Sequence, residues 1–265
     1  MNRHISIVAL FCTAALAGCN DYKKNAVQTI DGPVPAGAWI KFFNFGVNAP
    51  GVNFYAGDRK MTAISSGTEQ ESTNGVAYGS AGAGGLYTTI AAGQYTLSGR
   101  IAAAADKDLA ISTLSATLEE GKSYSFYQSG FYDATAKTVD AFLVEDTFAR
   151  EIDYSVTYVQ FVNAIPNANP LTLYATIPNA VDASKVDTVA VSGAVAYKSA
   201  GGFTALRDGA YNLFARYTGS STNQVARTGV TFVAGHVYTI GARGDITVTS
   251  TTATNRPFLD NTANR

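Results

Sequence analysis

The stretch WIKFFN at residues 39–44 returns in altered form as YVQFVN at residues 158–163, and this pair decides the fold of the chain. The two stretches stand 119 positions apart, and four further pairs follow in the same order. These are VNFYA (52–56) with LTLYA (171–175), YGSAG (78–82) with YKSAG (197–201), GQYTL (93–97) with GAYNL (209–213), and GKSYSF (121–126) with GHVYTI (235–240). Such self-similarity marks a repeated structural unit. The chain is therefore predicted to hold two copies of one unit, with insertions and deletions in the loops.

Each block alternates in the manner of a β-strand. In LTLYA, Leu171 and Leu173 face one side, while Thr172 and Tyr174 face the other. Turn signals such as Asp208-Gly209 recur between the blocks. About seven short strands in each copy suit a two-sheet sandwich. We predict an all-β protein with two tandem immunoglobulin-like or transthyretin-like β-sandwich domains.

The amino terminus has the pattern of a bacterial lipoprotein signal. A short basic start precedes an apolar run, residues 5–17, which is too short for a comfortable membrane span of roughly 20 residues. The run ends in LAGC at residues 16–19, which resembles the lipobox in which a cysteine is acylated after cleavage. We expect Cys19 to carry the lipid. The alternative is an ordinary signal peptide cleaved near Ala17.

These features divide the chain into six segments. They are a signal peptide (1–18), a flexible membrane tether (19–37), β-sandwich repeat 1 (38–144), a charged linker (145–155), β-sandwich repeat 2 (156–250) and a polar carboxyl-terminal tail (251–265).

Composition limits the kinds of partner and the kinds of site that we expect. The chain has 19 basic and 20 acidic residues and no basic stripe, so nucleic acid is not expected as a partner. Cys12 lies inside the predicted signal and Cys19 carries the predicted lipid, which leaves no thiol for a disulfide or a metal site. Because Asn20 rather than an aspartate follows the cysteine, we expect anchoring in the outer membrane, with the domains on its periplasmic or its surface face.

The repeated blocks resemble a known family. An opening (I/V)-x-F-x-N, a mid-domain Y-x-S, a G-x-Y-x-L strand and a closing aGxxYT(I/V)xxxG are similar to the bacterial envelope family called domain of unknown function 4397. Both copies match, over about 38–144 and 156–250, and the second is closer, with AGHVYTIGARG at 234–244. The resemblance implies exported or lipid-anchored β-sandwich modules with no established activity. It brings no catalytic residues.

The glycine-rich YGSAGAGG beginning at Tyr78 invites comparison with a phosphate-binding loop. Such a loop needs a strand before it and a helix start after it, and neither copy offers a helix. We interpret both YGSAG and YKSAG as architecture. Each is expected to begin a strand that pairs with LYTTI (86–90) or FTAL (203–206).

The remaining motifs for catalysis or metal binding are weak. His236 is the only histidine outside the signal, and its repeat counterpart, Lys122, precedes a strand, so we expect a solvated side chain. Zinc requires several His or Cys ligands. Asp106 with Asp108, or Asp182 with Asp187, would contribute to calcium binding only as part of a larger oxygen cluster. No metal and no cofactor is predicted.

Paired acids leave a hydrolase as the alternative. Glycoside hydrolysis needs two carboxylates across a cleft. The candidates are Glu119-Glu120, Glu145-Asp146 and Glu151-Asp153, each in a predicted turn or linker, where solvated surface charge is the expectation.

Aromatic residues give the remaining indication of binding. Tyr55 and Tyr174 occupy the same repeat position opposite apolar neighbours, so they are the candidate binding aromatics. Core packing and cross-strand pairing would explain them equally. The sequence thus favours a non-enzymatic, lipid-anchored cell-envelope protein that acts as a structural or binding module for a protein or polysaccharide. The alternative is a carboxylate-based carbohydrate-active hydrolase.

Overall fold

A computed structural model describes residues 37–62, 73–149 and 151–265. Within them the chain is almost entirely β-structure, which confirms the all-β prediction. Residues Ala36–Arg265 form one compact unit. Within the described residues, no helix has the length and apolarity that crossing a bilayer requires.

Within its described residues, the first repeat has nine strands in two sheets. They are β1 (Ala38–Val47), β2 (Val52–Ala56), β3 (Arg59–Lys60), β4 (Ser80–Ala81), β5 (Thr88–Ile90), β6 (Gly93–Ile101), β7 (Ala110–Leu118), β8 (Ser123–Asp133) and β9 (Thr138–Glu145). Inner sheet 1 has the order β4-β1-β8-β9, with β5 also on β1, and outer sheet 1 has the order β3-β2-β6-β7. Strands β1 and β8 are parallel, whereas the other pairs are antiparallel.

The second repeat has the same plan. Its strands are β10 (Thr157–Asn163), β11 (Leu171–Pro178), β12 (Val186–Ala190), β13 (Ser199–Ala200), β14 (Thr204–Leu206), β15 (Gly209–Tyr217), β16 (Val225–Phe232), β17 (Val237–Arg243) and β18 (Phe258–Ala263). Inner sheet 2 has the order β13-β10-β17-β18, with β14 also on β10, and outer sheet 2 has the order β12-β11-β15-β16. Each strand of the first repeat thus has its counterpart nine strands later.

Two details differ from the sequence analysis. The YGSAG and YKSAG motifs begin β4 and β13, but these pair with β1 and β10 rather than with the strands that follow them. The expected pairing was wrong because a turn divides one edge strand into two pieces, and both pieces pair with the same neighbour. Strand β18 lies inside residues 251–265, described above as a polar tail. Its polar sequence concealed a strand that buries only Leu259 and pairs with β17.

Each repeat has its own apolar core between its inner and outer sheets. A third core lies between the two repeats, where the outward faces of the inner sheets meet. Strand β1 is therefore buried on both faces. Its Ile40 and Phe42 point into the first repeat, while Phe43 and Phe45 point towards the second.

Candidate functional site

The face between the repeats is built from aromatic side chains on one side and small ones on the other. Tyr127 of β8 stacks between Phe43 and Phe142, with ring centroids 4.6 and 4.9 Å away. Gly241 stands at the repeat position of Tyr127, and a Cβ there would lie 2.8 Å from the ring of Phe45. The second repeat thus provides the space that the aromatic residues of the first repeat occupy.

The repeated Tyr turns fix the edges of this face. In the first repeat, the Tyr78 ring lies 4.9 Å from the guanidinium of Arg243, and Arg243 pairs with Asp260. Burial raises the pKa of the Tyr78 hydroxyl. Gly79 beside it has φ +76°, and a Cβ there would lie 2.7 Å from Arg243. The glycine of YGSAG is therefore needed for a close contact between the repeats.

The second turn makes the reciprocal contact. Tyr197 donates from its hydroxyl to Asp140 Oδ2 at 3.2 Å, and Lys198 Nζ lies 2.9 Å from the same oxygen. Burial raises the pKa of Tyr197. Both copies of the motif thus join one repeat to the other, and neither is a phosphate loop.

A buried lysine lies at one end of the inter-repeat face. Lys41 of β1 is 1% exposed, and its Nζ donates to Oδ1 of Asn264, which follows β18. The same Nζ lies 4.7 Å from the ring centroid of Tyr87 and 5.4 Å from that of Phe43. Desolvation lowers the pKa of Lys41 to about 8, although the charge of Asp146 opposes this shift.

Asp146 completes the group. It is 4% exposed, and its Oδ2 accepts from Tyr87 Oη at 2.7 Å and from Ser125 Oγ at 2.6 Å. Its Oδ1 has no hydrogen-bond partner among the described residues. Burial raises the pKa of this carboxyl, while Lys41 and the two hydroxyl donors act in the opposite direction. We call Lys41, Tyr87, Ser125, Asp146, Thr239 and Asn264 the inter-repeat polar cluster.

The expectation of solvated surface charge was wrong for Asp146. The residue follows β9 directly, and its backbone N–H donates to Ser123 O at 2.8 Å, so the pairing with β8 continues through it. Its side chain lies on the buried face, where Ser125 donates to it. Its neighbour Glu145 is exposed as expected and pairs with Lys122 at 3.2 Å. The sequence did contain a signal, since Lys41 alternates with Phe43 and Phe45 on one face of a strand and a buried lysine requires a polar partner.

The cluster uses equivalent positions of the two repeats. Tyr124 pairs with Glu145 in the first repeat as Tyr238 pairs with Ala263 in the second, so the next residues, Asp146 and Asn264, correspond. The other equivalent pairs are Lys41 with Gln160 and Ser125 with Thr239. Lys41 of one copy therefore contacts the Asp146 counterpart of the other.

A groove of about 440 Å³ opens beside the cluster, between the end of β9 and the segment after β13. Its lining residues are Leu143, Val144, Glu145, Thr147, Gln160, Lys198, Ser199, Ala200, Gly201 and Gly202. Its two charged side chains, Glu145 and Lys198, are paired with Lys122 and Asp140. Hydroxyl, amide and backbone groups therefore dominate what the groove offers a ligand.

The candidate binding aromatics lie on the outer sheets, away from this groove. Tyr55 is 6% exposed, donates to Asp108 Oδ1 at 3.0 Å and lies under the guanidinium of Arg100 at 4.2 Å. Tyr174 is half-buried, with Arg216 5.2 Å from its ring. Both repeats thus place an arginine beside the equivalent tyrosine. A ligand role for these tyrosines stays a prediction.

The other candidate residues do not converge. His236 is exposed in the turn before β17, as expected, and its ring stacks on Tyr238. Asp106 pairs with Lys137, and Asp182 pairs with Lys185. Within the described ranges, no group of three or more His, Cys, Asp or Glu side chains could hold a metal ion. Cys19 lies outside the described residues.

Comparison with known proteins gives a family. The family described as "Domain of unknown function (DUF4397)" matches residues 38–174, which covers the first repeat and the start of the second. The chain belongs to the DUF4397 family. No curated protein matches this DUF4397 chain.

Among solved structures, the DUF4397 chain is similar to a leucine-rich repeat protein from Bacteroides thetaiotaomicron VPI-5482, with 10% identity and a TM-score of 0.20. The alignment covers 80% of this chain and 27% of that one. A TM-score of this size supports no conclusion about fold or function.

Proposed function

We propose that this DUF4397 protein is a lipid-anchored protein of the bacterial cell envelope that acts as a non-enzymatic structural or partner-binding module. The anchor rests on LAGC at residues 16–19, with Cys19 as the acylated residue and the outer membrane as its location. Several acyl chains together hold a protein firmly, since each buried methylene contributes about 0.8 kcal/mol.

The observation that carries the module function is the third core between the repeats. Two sandwiches joined by a flexible linker would move independently. Here Phe43, Phe45 and Tyr127 of one repeat pack on Val162 and Ala164 of the other. Such a block suits a protein that presents a fixed surface to a partner.

The groove between β9 and β13 is the binding surface that we favour. Its charges are compensated by neighbours, so a neutral polar chain such as a polysaccharide fits it better than a charged ligand. A hydrolase would need two free carboxylates across the cleft. Glu145 is the one carboxylate among the lining residues, and Lys122 pairs with it. No observation favours the hydrolase alternative.

The anchor is tested by replacing Cys19 in the full chain. With Cys19→Ala we expect loss of acyl labelling and release from the membrane fraction. Cys12→Ala is the matched control and should leave both unchanged, because Cys12 lies within the apolar run of the signal. Retained labelling in Cys19→Ala would refute the lipoprotein assignment.

The groove is tested with two tryptophan variants and a panel of neutral envelope polysaccharides. A Cβ on Gly202 or on Gly193 meets no atom within 4 Å, so both positions tolerate a side chain. Gly202 lines the groove, whereas Gly193 is not among its lining residues. We expect Gly202→Trp to weaken binding about tenfold or more and Gly193→Trp to leave it unchanged. Equal loss of binding in both variants would refute the groove as the binding site. If the parent protein binds none of the polysaccharides, the polysaccharide-binding proposal is refuted and the structural role is favoured.

A further inference from the structure

The inter-repeat polar cluster brings a primary amine against a side-chain amide. Lys41 lies on β1 and Asn264 directly follows β18, 223 positions away. Lys41 Nζ donates to Asn264 Oδ1, and Asn264 Nδ2 donates to Thr239 Oγ1 at 2.9 Å. The second bond fixes the amide so that its oxygen side faces the amine.

The surroundings favour an uncharged amine. The Lys41 side chain is almost completely buried, which disfavours the charged amine, although the rings of Tyr87 and Phe43 beside Nζ attract a cation. Burial lowers the pKa of Lys41 and raises that of Asp146, so both groups shift towards their neutral forms. Desolvation of this kind turns a lysine into a nucleophile.

We propose that Lys41 and Asn264 form an intramolecular isopeptide bond that joins the two repeats covalently. The neutral Lys41 Nζ attacks Cγ of Asn264, a new C–N bond forms, and the bond from Cγ to Nδ2 breaks. The amine loses one proton, the departing nitrogen gains one, and one molecule of ammonia leaves. The exchange converts one amide into another, so no oxidant, reductant or external energy source takes part.

Asp146 is the positioning residue for this reaction. Two hydrogen bonds, from Tyr87 and Ser125, hold its Oδ2, while its Oδ1 has no partner among the described residues. The Asp146 carboxyl and the Lys41 amine attract each other through their charges, and this attraction holds the amine at this end of the inter-repeat face.

The second repeat predicts that the protein forms a single bond of this type. Gln160 stands at the position of Lys41, and its Nε2 donates to Gly201 O at 3.0 Å. A glutamine amide is not a nucleophile comparable to a neutral amine. The expected loss is therefore one ammonia per chain.

The direct test is a tryptic digest of the full-length protein followed by mass spectrometry. An amide on Lys41 blocks cleavage after this residue, so we expect a branched peptide that joins residues 25–59 to residues 244–265, lighter than their sum by one ammonia. A free, cleavable Lys41 in the purified protein would overturn the proposal. Loss of water instead of ammonia, with Asp146 in the branched peptide, would also overturn it.

Variants connect this peptide to the assigned residues. Lys41→Arg and Asn264→Ala should each abolish it and restore the unbranched peptides of the two segments. Lys122→Arg makes the same change at a partly exposed lysine and should leave the branched peptide intact. If Lys41→Arg does not fold, Asn264→Ala still decides the partner, and the digest of the parent protein needs no variant.

The role of Asp146 has its own measurement. Asp146→Asn should fold with an unchanged circular dichroism spectrum but contain a free Lys41, and Asp146→Glu should restore part of the linked fraction. A folded Asp146→Asn protein that links as completely as the parent would limit Asp146 to packing.

Discussion

At the face where the repeats meet, the first repeat contributes aromatic side chains and the second contributes small ones, although equivalent strands of the two copies form the face. The equivalent pairs are Phe43 and Val162, Phe45 and Ala164, and Tyr127 and Gly241. The inner cores of the two repeats keep large apolar side chains at equivalent positions, such as Leu97 and Leu213, which are both fully buried. The difference indicates that the inner cores fold each copy, whereas the third core joins one specific copy to the other.

The polar positions differ in the same way. Lys41 and Asp146 of the first repeat correspond to Gln160 and Asn264 of the second. A charged pair in both copies would place four ionisable groups at one buried face, at a high desolvation cost. With amides in the second copy, the face contains one amine and one carboxyl.

The largest expected effect on stability comes from removing an aromatic ring that the first repeat contributes to the inter-repeat face. Tyr127→Ala deletes a ring stacked on both sides in a face with little room to relax, so we expect a loss of about 3–5 kcal/mol in the free energy of unfolding. Urea denaturation monitored by fluorescence measures it. Tyr154→Ala, at a tyrosine that is 72% exposed, should change stability by less than about 0.5 kcal/mol. A loss below about 1 kcal/mol for Tyr127→Ala would mean that the third core contributes little to folding.

The second-largest expected effect is a pH dependence of the free energy of unfolding. It arises because the first repeat has Lys41 where the second has the uncharged Gln160. In Asn264→Ala, which cannot form the proposed bond, Lys41 keeps its amine. Its pKa falls from 10.5 in the unfolded chain to about 8 in the folded one, so the unfolded state binds more protons between these values. Stability should therefore rise by about 2 kcal/mol from pH 8 to pH 10. Above pH 10, ionisation of the unfolded chain's tyrosines opposes the rise, since burial raises the pKa of Tyr87 and Tyr127 in the folded state.

Urea titrations at several pH values measure this slope. Asn264→Ala combined with Lys41→Met removes the amine and should lose the rise. The same rise in the combined variant would contradict its assignment to Lys41.

Much of the fold was predictable because the repeat blocks coincide with strands. WIKFFN lies in β1, LTLYA begins β11, and GAYNL begins β15. Alternation also put Leu171 and Leu173 on one face of a strand, and both lie in the core of the second repeat. These features are local, and a sequence pattern records them directly.

Apart from the alternation of Lys41 with Phe43 and Phe45, the site was not predictable, because it depends on how the repeats pack. Strand β1 is buried on both faces, and alternation shows that two faces exist without showing that both are covered. Asp146 stood in a charged segment that read as a linker, and Asn264 stood in a segment that read as a tail. Only the pairing of β9 with β8 and of β18 with β17 brings these residues to the buried amine.

The smallest expected effect tests whether the two copies are interchangeable on their outer sheets. Asn53 of β2 is 1% exposed, and neither of its amide atoms has a hydrogen-bond partner among the described residues. Its counterpart is Thr172 of β11, and each residue pairs across the sheet with an equivalent arginine, Arg100 or Arg216. Asn53→Thr replaces a buried, unpaired amide with a β-branched residue that the fold already accepts. We expect a gain of about 1 kcal/mol.

Thr172→Asn is the reciprocal variant and should lose about 1 kcal/mol, because it buries an amide where a hydroxyl was accommodated. Thermal unfolding of both variants beside the parent protein measures the two changes. A gain of stability in Asn53→Thr with a loss in Thr172→Asn would show that the outer-sheet environments of the repeats are equivalent at this position. Loss of stability in both variants would instead show that each repeat has adapted to its own residue, which would extend the difference seen at the inter-repeat face to the outer sheets.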